Sequence, residues 1–331
     1  MKKIIAISLI FFVMTIALAF KSFTKVEAIV IYTSTEDYNM ELLQDKLNEQ
    51  FPDYEIEIEY LSTSNIATKI IEEKDKCECD IVYALDYGYL DKLIAANCLA
   101  SFAGEYDMSI FEDDTLSDTN RNYVLPTIRS GGGIILNNSV LNERGIEKPT
   151  CYNDLLKPEY RGWISMPSPK SSGTGYMFYY SLVQAWGEEV ALEYFDGFAE
   201  NVKSFTSSGS GPVNAITTKE AAIGLGMISQ AVDKITNGNK DIEVVFFEEG
   251  APYSLYGTSV IKGRESKLGV MEVMDYIYSN YINEACKIFY PEKILKNKQY
   301  DVANFPSNIN YSNMIGNTLE TKENLLNKWK Y

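Results

Sequence analysis

The chain has no histidine in 331 residues. That removes Ser-His-Asp and Cys-His nucleophile pairs, His-ligated zinc and the HExxH helix. Positive charge is scarce too: 30 Lys plus Arg stand against 46 Asp plus Glu, a formal net charge of −16. Such a balance argues against nucleic acid and anionic membrane surfaces as partners. It also means that any anion site must be built from local dipoles, against the field of the whole protein. Neither a GxGxxG nor a Walker A motif occurs, which argues against nucleotides. Cysteines number five: Cys77, Cys79, Cys98, Cys151 and Cys286. Cys77-x-Cys79 is too tight for a zinc knuckle, and no second pair exists. Cys98 follows the helix after the strand that Cys77 and Cys79 precede, so a bridge among these three and free thiols both stay open. A Ser-x-x-Lys at Ser22–Lys25 falls in the flank of the N-terminal segment and lends no support to a Ser/Lys nucleophile. No catalytic residue, resident metal or cofactor is expected.

Long apolar runs are confined to the start. Lys2 and Lys3 precede an apolar run from Ile4 to Phe20, and Val26 with Ala28 gives a small-x-small cleavage pattern. Residues 1–28 read as a signal peptide, with an uncleaved membrane anchor as the alternative. These residues carry four lysines and one glutamate, a net +3, so cleavage would leave a chain near −19. The remaining length suits about two domains of ~100–200 residues each, and a hydrophobic content of 46% is enough for real cores.

The mature part opens on a strand–helix alternation. Ala28–Tyr32 is a continuous apolar strand. The polar turn Thr33–Asp37 leads into a helix marked by Leu42, Leu43, Leu47 and Phe51. Tyr54, Ile56, Ile58 and Tyr60 alternate with glutamates as a half-buried strand. Ser62–Asn65 opens a second helix, Asp80–Leu85 is a third strand, and helix Tyr89–Ala96 follows. This βαβαβ order predicts an open parallel α/β sheet with ligands at the carboxyl ends of its strands. Strands are then expected at Tyr123–Arg129 and Gly133–Asn137, with Gly131–Gly133 between them as a hinge. A loop to about Tyr160 comes next. After that a second α/β lobe runs to Ile242–Phe247, before strand Thr258–Lys262, a long helix Leu268–Tyr281 and a C-terminal helix Thr321–Lys330.

Within the second lobe two segments nearly repeat. Residues 171–175 read Ser-Ser-Gly-Thr-Gly and residues 207–211 read Ser-Ser-Gly-Ser-Gly, each between a strand-like and a helix-like run. A helix start carries unpaired N–H groups and partial positive charge, glycine admits a ligand to the backbone, and hydroxyls add donors. Two such turns on one cleft would hold an oxyanion without lysine or arginine. Read singly, each is an ordinary Ser/Thr helix cap.

Several further stretches carry a resemblance: Gly145–Pro149, Asp154–Pro158, Tyr160-Arg161-Gly162, the 171–176 and 207–212 boxes, Ala221–Gly224, and Glu249-Gly250 before Tyr253. In this order and spacing they resemble the type II extracellular solute-binding proteins of bacterial ABC importers, in the branch that includes ferric-iron, aminoethylphosphonate and thiamine binders. The resemblance implies a two-lobed type II periplasmic-binding-protein fold whose lobes are joined by a two-strand hinge near Pro126–Gly133 and Gly250–Gly257. Lobe one would be 29–128 plus 256–331 and lobe two 129–255. It implies a monomer outside the cytoplasmic membrane or in the periplasm, handing a small-molecule ligand to an ABC permease.

Hydroxyl and amide donors in strand-to-helix turns favour an oxyanion: Ser34, Thr35, Ser64, Asn65, Ser171, Ser172, Thr174, Ser208 and Ser210, with Gln230 and Tyr253 near the same cleft. Asp86, Tyr87 or Glu249 could hold an attached ammonium. The motivated ligand is a phosphonate such as 2-aminoethylphosphonate, or a phosphorylated metabolite. Ferric iron is the alternative, through Tyr38, Tyr87 and Tyr253 as tyrosinates. Iron binders that resemble this chain commonly carry adjacent tyrosines after the strand matching Ala222–Gly226, where this chain has Met227-Ile228-Ser229-Gln230.

Overall fold

The computed structural model describes residues 27–314 and 316–331. The expected targeting segment, 1–28, lies outside them but for its last two positions. Among the described residues no helix is long and apolar enough to cross a membrane.

Lobe one begins β1 (Ile29–Thr33), α1 (Asp37–Gln50), β2 (Ile56–Tyr60), α2 (Thr63–Glu73), β3 (Ile81–Asp86) and α3 (Tyr87–Ala95). β1 pairs in parallel with both β2 and β3. Alternation along β1 sends Ile29 and Ile31 to one face, against Leu43 and Leu47, and Tyr32 to the other, against Ile66 and Ile70. Helices therefore cover both faces, which is why the strand reads as an unbroken apolar run.

The sheet does not stop at β3. β4 (Leu125–Asn137) is one 13-residue strand where two were expected. It pairs antiparallel with β9 (Tyr253–Val260) over Leu125–Gly131, then with β7 (Ile223–Met227) over Gly132–Leu136 and with β8 (Ile242–Val245) over Ile134–Asn137. The strand order is β2-β1-β3-β9-β4-β7-β5-β6, with β5 (Ile164–Pro167) and β6 (Val202–Thr206) at the far side. β4 and β9 are thus the two crossing strands of a two-lobed α/β clamp. The glycines lie where β4 changes partners. A Cβ on Gly132 would come within 2.6 Å of the Met177 side chain, so the absent side chain lets the second lobe pack against the crossing.

Lobe two adds α4 (Asn138–Arg144), α5 (Gly173–Trp186), α6 (Glu188–Ala199), α7 (Gly211–Thr217) and α8 (Ile228–Thr236). After β9 the chain returns to lobe one as α9 (Val270–Tyr276), a π-helical turn (Ile277–Tyr281) and α10 (Ile282–Ile288). It passes the crossing once more, where Tyr311 bridges Ala251, and ends in α11 (Leu319–Lys328). The division expected from sequence assigns 256–331 wholly to lobe one. The last segment instead touches both lobes: α11 meets α3 of lobe one, while Trp329 packs on Tyr179, Phe195 and Phe205, and Lys328 and Lys330 pair with Glu188 and Asp196 of lobe two. All five cysteines are free thiols, with Cys77 and Cys79 buried.

Candidate functional site: a hydroxyl-lined cleft between the lobes

The Ser/Gly boxes converge. α5 starts at Gly173, and the Ser172 Oγ accepts from the Gly175 N–H at 3.5 Å as a long helix cap. A Cβ on Gly175 would collide with the Pro167 carbonyl, so glycine is required where the turn folds back on β5. A Cβ on Gly209 would strike the Thr174 hydroxyl and come within 3.3 Å of the Ser172 Oγ. The second box therefore sits directly against the first. Ser208 and Ser210 share a hydrogen bond at 3.1 Å; the Thr206 hydroxyl donates to the Ser208 carbonyl at 2.9 Å, and Gln230 Nε2 donates to the Ser210 carbonyl at 3.1 Å. The helix after this box, α7, is seven residues long and has no side-chain cap. Its box contributes hydroxyls more than a helix dipole, unlike the 14-residue α5.

From lobe one the β1–α1 turn faces these boxes. The cleft is lined by Ser34, Thr35, Glu36, Asp37, Tyr60, Ser62 and Thr63 on one side and Ser171–Thr174 and Ser208–Ser210 on the other, with Ala84, Ile128, Met227, Tyr256 and Tyr290 between them. Ala84 has φ +51° at a bulge in β3, a left-handed backbone held by the surrounding sheet. The lobes touch across the cleft: Thr63 and Ser64 hydroxyls donate to the Ser171 carbonyl at 3.2 and 3.3 Å, and the Gly173 N–H donates to Thr63 Oγ1 at 3.2 Å. The arrangement is closed.

Two features define the chemistry. Among the described residues lining the cleft there is no lysine or arginine, and the Oγ atoms of Ser34 and Ser171 are buried without a hydrogen-bond partner in the protein. Asn39 Nδ2 donates to Thr35 Oγ1 at 2.8 Å, and the Thr35 side chain also hydrogen-bonds Glu36 and Tyr290 at the cleft. The cleft also holds a carboxyl that the sequence reading passed over. Glu36 is 9% exposed, and its Oε2 accepts from the Tyr290 hydroxyl at 3.2 Å. Burial raises its pKa above the usual carboxylate range. Burial likewise raises Tyr60, Tyr256 and Tyr290, which keeps their phenols as donors at neutral pH.

Of the residues singled out from sequence, Ser34, Thr35, Ser171, Ser172, Thr174, Ser208 and Ser210 line the cleft. Ser64 closes onto Ser171 at its edge, and Asn65 is solvent-exposed on α2. Asp86 is not available to a ligand ammonium: it caps α3 and holds Lys322 Nζ at 2.6 Å. The Tyr87 hydroxyl donates to the Thr115 carbonyl, and Tyr253 lies under Arg129 and against Tyr311. Gln230 braces the second box from behind rather than facing the cleft, and Glu249 is not part of the lining. Tyr38 packs at a tilt against Phe289 outside the lining, so Tyr38, Tyr87 and Tyr253 do not converge on one point. Among the described residues no cluster of three Cys, Asp or Glu could hold a metal. A second Ser-x-x-Lys, Ser259–Lys262, points its ends apart: Ser259 donates to the Tyr123 carbonyl and Lys262 to Asn97.

Comparison with known proteins agrees with this clamp. An uncharacterized protein of Haemophilus influenzae is 26% identical over 239 residues, 71% of this chain and 68% of that one. The structure of the periplasmic binding protein P5PA superposes with a TM-score of 0.78 at 23% identity, covering 91% of this chain and 98% of that one. AfuA from Actinobacillus pleuropneumoniae, with fructose-6-phosphate bound, gives 0.76 at 22% over 91% and 97%. Iron-bound HitA from Pseudomonas aeruginosa gives 0.69 at 16% over 85% and 90%. These structural likenesses carry the fold. Residues 79–311 match the model of the bacterial extracellular solute-binding proteins, and with most of the chain so matched the protein belongs to that family.

Proposed function

We propose that this protein captures a small phosphoryl-bearing solute, a phosphonate or phosphorylated metabolite, by closing its lobes, and delivers it to an ABC permease. The observation that carries the reading is the meeting of the two Ser/Gly boxes at Gly209, opposite the unpartnered hydroxyl of Ser34. Neutral donors from three turns, one of them at the start of a long helix, suit an oxyanion that brings its own charge. Glu36 faces the remainder of the solute, donating as the acid to an oxygen or pairing with an ammonium. The bound fructose-6-phosphate of the AfuA structure fits the same ligand class.

Ferric iron is the second reading, favoured by Glu36 together with Tyr60, Tyr256 and Tyr290 on one cleft. It requires phenolates, which burial disfavours at all three tyrosines. Thermal shift decides between them, with inorganic phosphate, fructose 6-phosphate, 2-aminoethylphosphonate, thiamine and ferric citrate as the panel. A ligand at 100 times its Kd adds about 2.7 kcal/mol. Phosphoryl compounds should raise the melting temperature. A visible tyrosinate–iron band, with no response to phosphoryl compounds, would overturn the reading.

A further inference from the structure

One face of α11 begins on lobe one and ends on lobe two. Lys322, Leu325 and Trp329 recur at three- and four-residue spacing, so they share a stripe, and each is about 2% exposed. The far end is anchored on lobe two. Trp329 packs on Tyr179, Phe195 and Phe205, and the Tyr179 hydroxyl donates to the Leu325 carbonyl at 3.3 Å; ahead of the helix, the Tyr176 hydroxyl donates to Asn317 Oδ1 at 2.9 Å. The near end reaches lobe one, where Lys322 Nζ meets Asp86 Oδ1 at 2.6 Å. The ammonium also lies 4.1 Å from the ring centroid of Tyr89 on lobe one and 4.6 Å from that of Tyr176 on lobe two.

Asp86 stands directly behind the first box. It is 4% exposed, and a Cβ on Gly173 would come 3.2 Å from its carboxylate. A bare carboxylate there would be costly to bury, and its charge would oppose an oxyanion at the same turn. α11 meets α3 of lobe one at Lys322 and reaches lobe two at Trp329, so in this closed arrangement the Asp86–Lys322 pair helps tie one lobe to the other. We propose that Lys322 is a positioning residue for solute capture: its buried pair with Asp86 fastens the closed clamp and cancels the charge behind the first box. The fastening rests on lobe closure, and the cancellation rests on the oxyanion reading above.

The test uses the full chain with inorganic phosphate and fructose 6-phosphate as probes, and tryptophan fluorescence in stopped flow. Lys322→Met should release a bound probe about tenfold faster than wild type, as removing one partner of a buried charge pair acts on dissociation. Lys322→Arg, which keeps the charge, should stay within about threefold of wild type on the same ground. The double variant Asp86→Asn with Lys322→Met leaves no lone charge to bury and carries the test if the single variant fails to fold. Fast release from it supports the fastening, and wild-type release overturns it. If neither probe binds wild type, the phosphoryl reading fails, and the fastening is read from amide exchange over residues 168–176 in the unliganded proteins. Faster exchange in the variant supports the pair, and equal exchange in variant and wild type overturns it.

Discussion

At the scale of single residues the cleft separates groups that serve the ligand from groups that serve the fold. Ser34 Oγ has no partner in the protein, so Ser34→Ala should leave the unliganded melting temperature unchanged. Against a phosphoryl ligand it should cost about 1.5–3 kcal/mol, the loss of a hydrogen bond to a charged group. Calorimetric titration together with thermal melts checks both halves. Ser172 differs, because its Oγ also caps α5. Ser172→Ala should weaken binding and also lower the melting temperature, by about 0.5–2 kcal/mol of stability. Glu292 gives a pH prediction away from the ligand. It is buried at the crossing, where its Oε1 accepts from the Gly131 N–H at 3.0 Å, and burial lifts its pKa from 4.5 to about 7. The folded state therefore holds this proton where the unfolded state has lost it, so the native fold loses stability as pH rises from about 4.5 to 7. Glu292→Gln keeps an acceptor for Gly131 and removes the charge. It should stabilise the protein at pH 8 by an amount on the order of 3 kcal/mol, and change little at pH 4. A variant less stable than wild type at pH 8 would contradict this account. The Ser/Gly boxes were legible in the sequence because turn chemistry is local. Tyr256 and Tyr290 were not, because only the closing of distant strands brings them to the cleft, while Glu36 stood in the same turn as Ser34 and Thr35 and only its burial against Tyr290 sets it apart from an ordinary surface carboxylate. Asp86 read as free because its partner, Lys322, lies 236 residues away.

At the scale of elements, sequence located most strands and missed what joins them. The expected break in β4 at Gly131–Gly133 is a change of partner within one strand, which leaves no gap in the strand itself. α8 follows β7 with no polar turn to mark its start: Met227 ends the strand and Ile228 begins the helix. α11 was found, but its docking on lobe two was not, since chain order suggested lobe one. The contact between the two boxes gives a prediction of its own. Gly209→Ala would place a methyl against the Thr174 hydroxyl, a side chain that can rotate away. The expected outcome is weaker solute binding with little change in unliganded stability. Gly175→Ala would instead press on the backbone of Pro167, which cannot move aside, and should lower the melting temperature itself. Equal losses of stability in the two variants would mean that the second box does not depend on the Thr174 rotamer.

At the scale of the whole molecule, the α/β class followed from strand–helix alternation and the two-lobed clamp from the family resemblance, while the ligand chemistry depends on a balance between global and local fields. The chain carries −16, yet the proposed ligand is an anion held where no lysine or arginine lines the cleft. Donors at the turns act over a few ångströms, whereas the net charge acts over the screening length, about 30 Å at 0.01 M salt and 8 Å at 0.15 M. An approaching phosphoryl compound therefore meets repulsion before it meets the hydroxyls of Ser34, Ser172 and Ser208. Raising the salt from 0.01 to 0.15 M should speed its association by about two- to tenfold, the reverse of electrostatic steering. Dissociation should change little, because the bound ion is enclosed between lobes tied at Thr63–Ser171 and Asp86–Lys322. Stopped-flow association rates across that salt range give the answer. A rate that falls with salt would place a positive potential at the cleft mouth, and would require a cation that the lining does not contain.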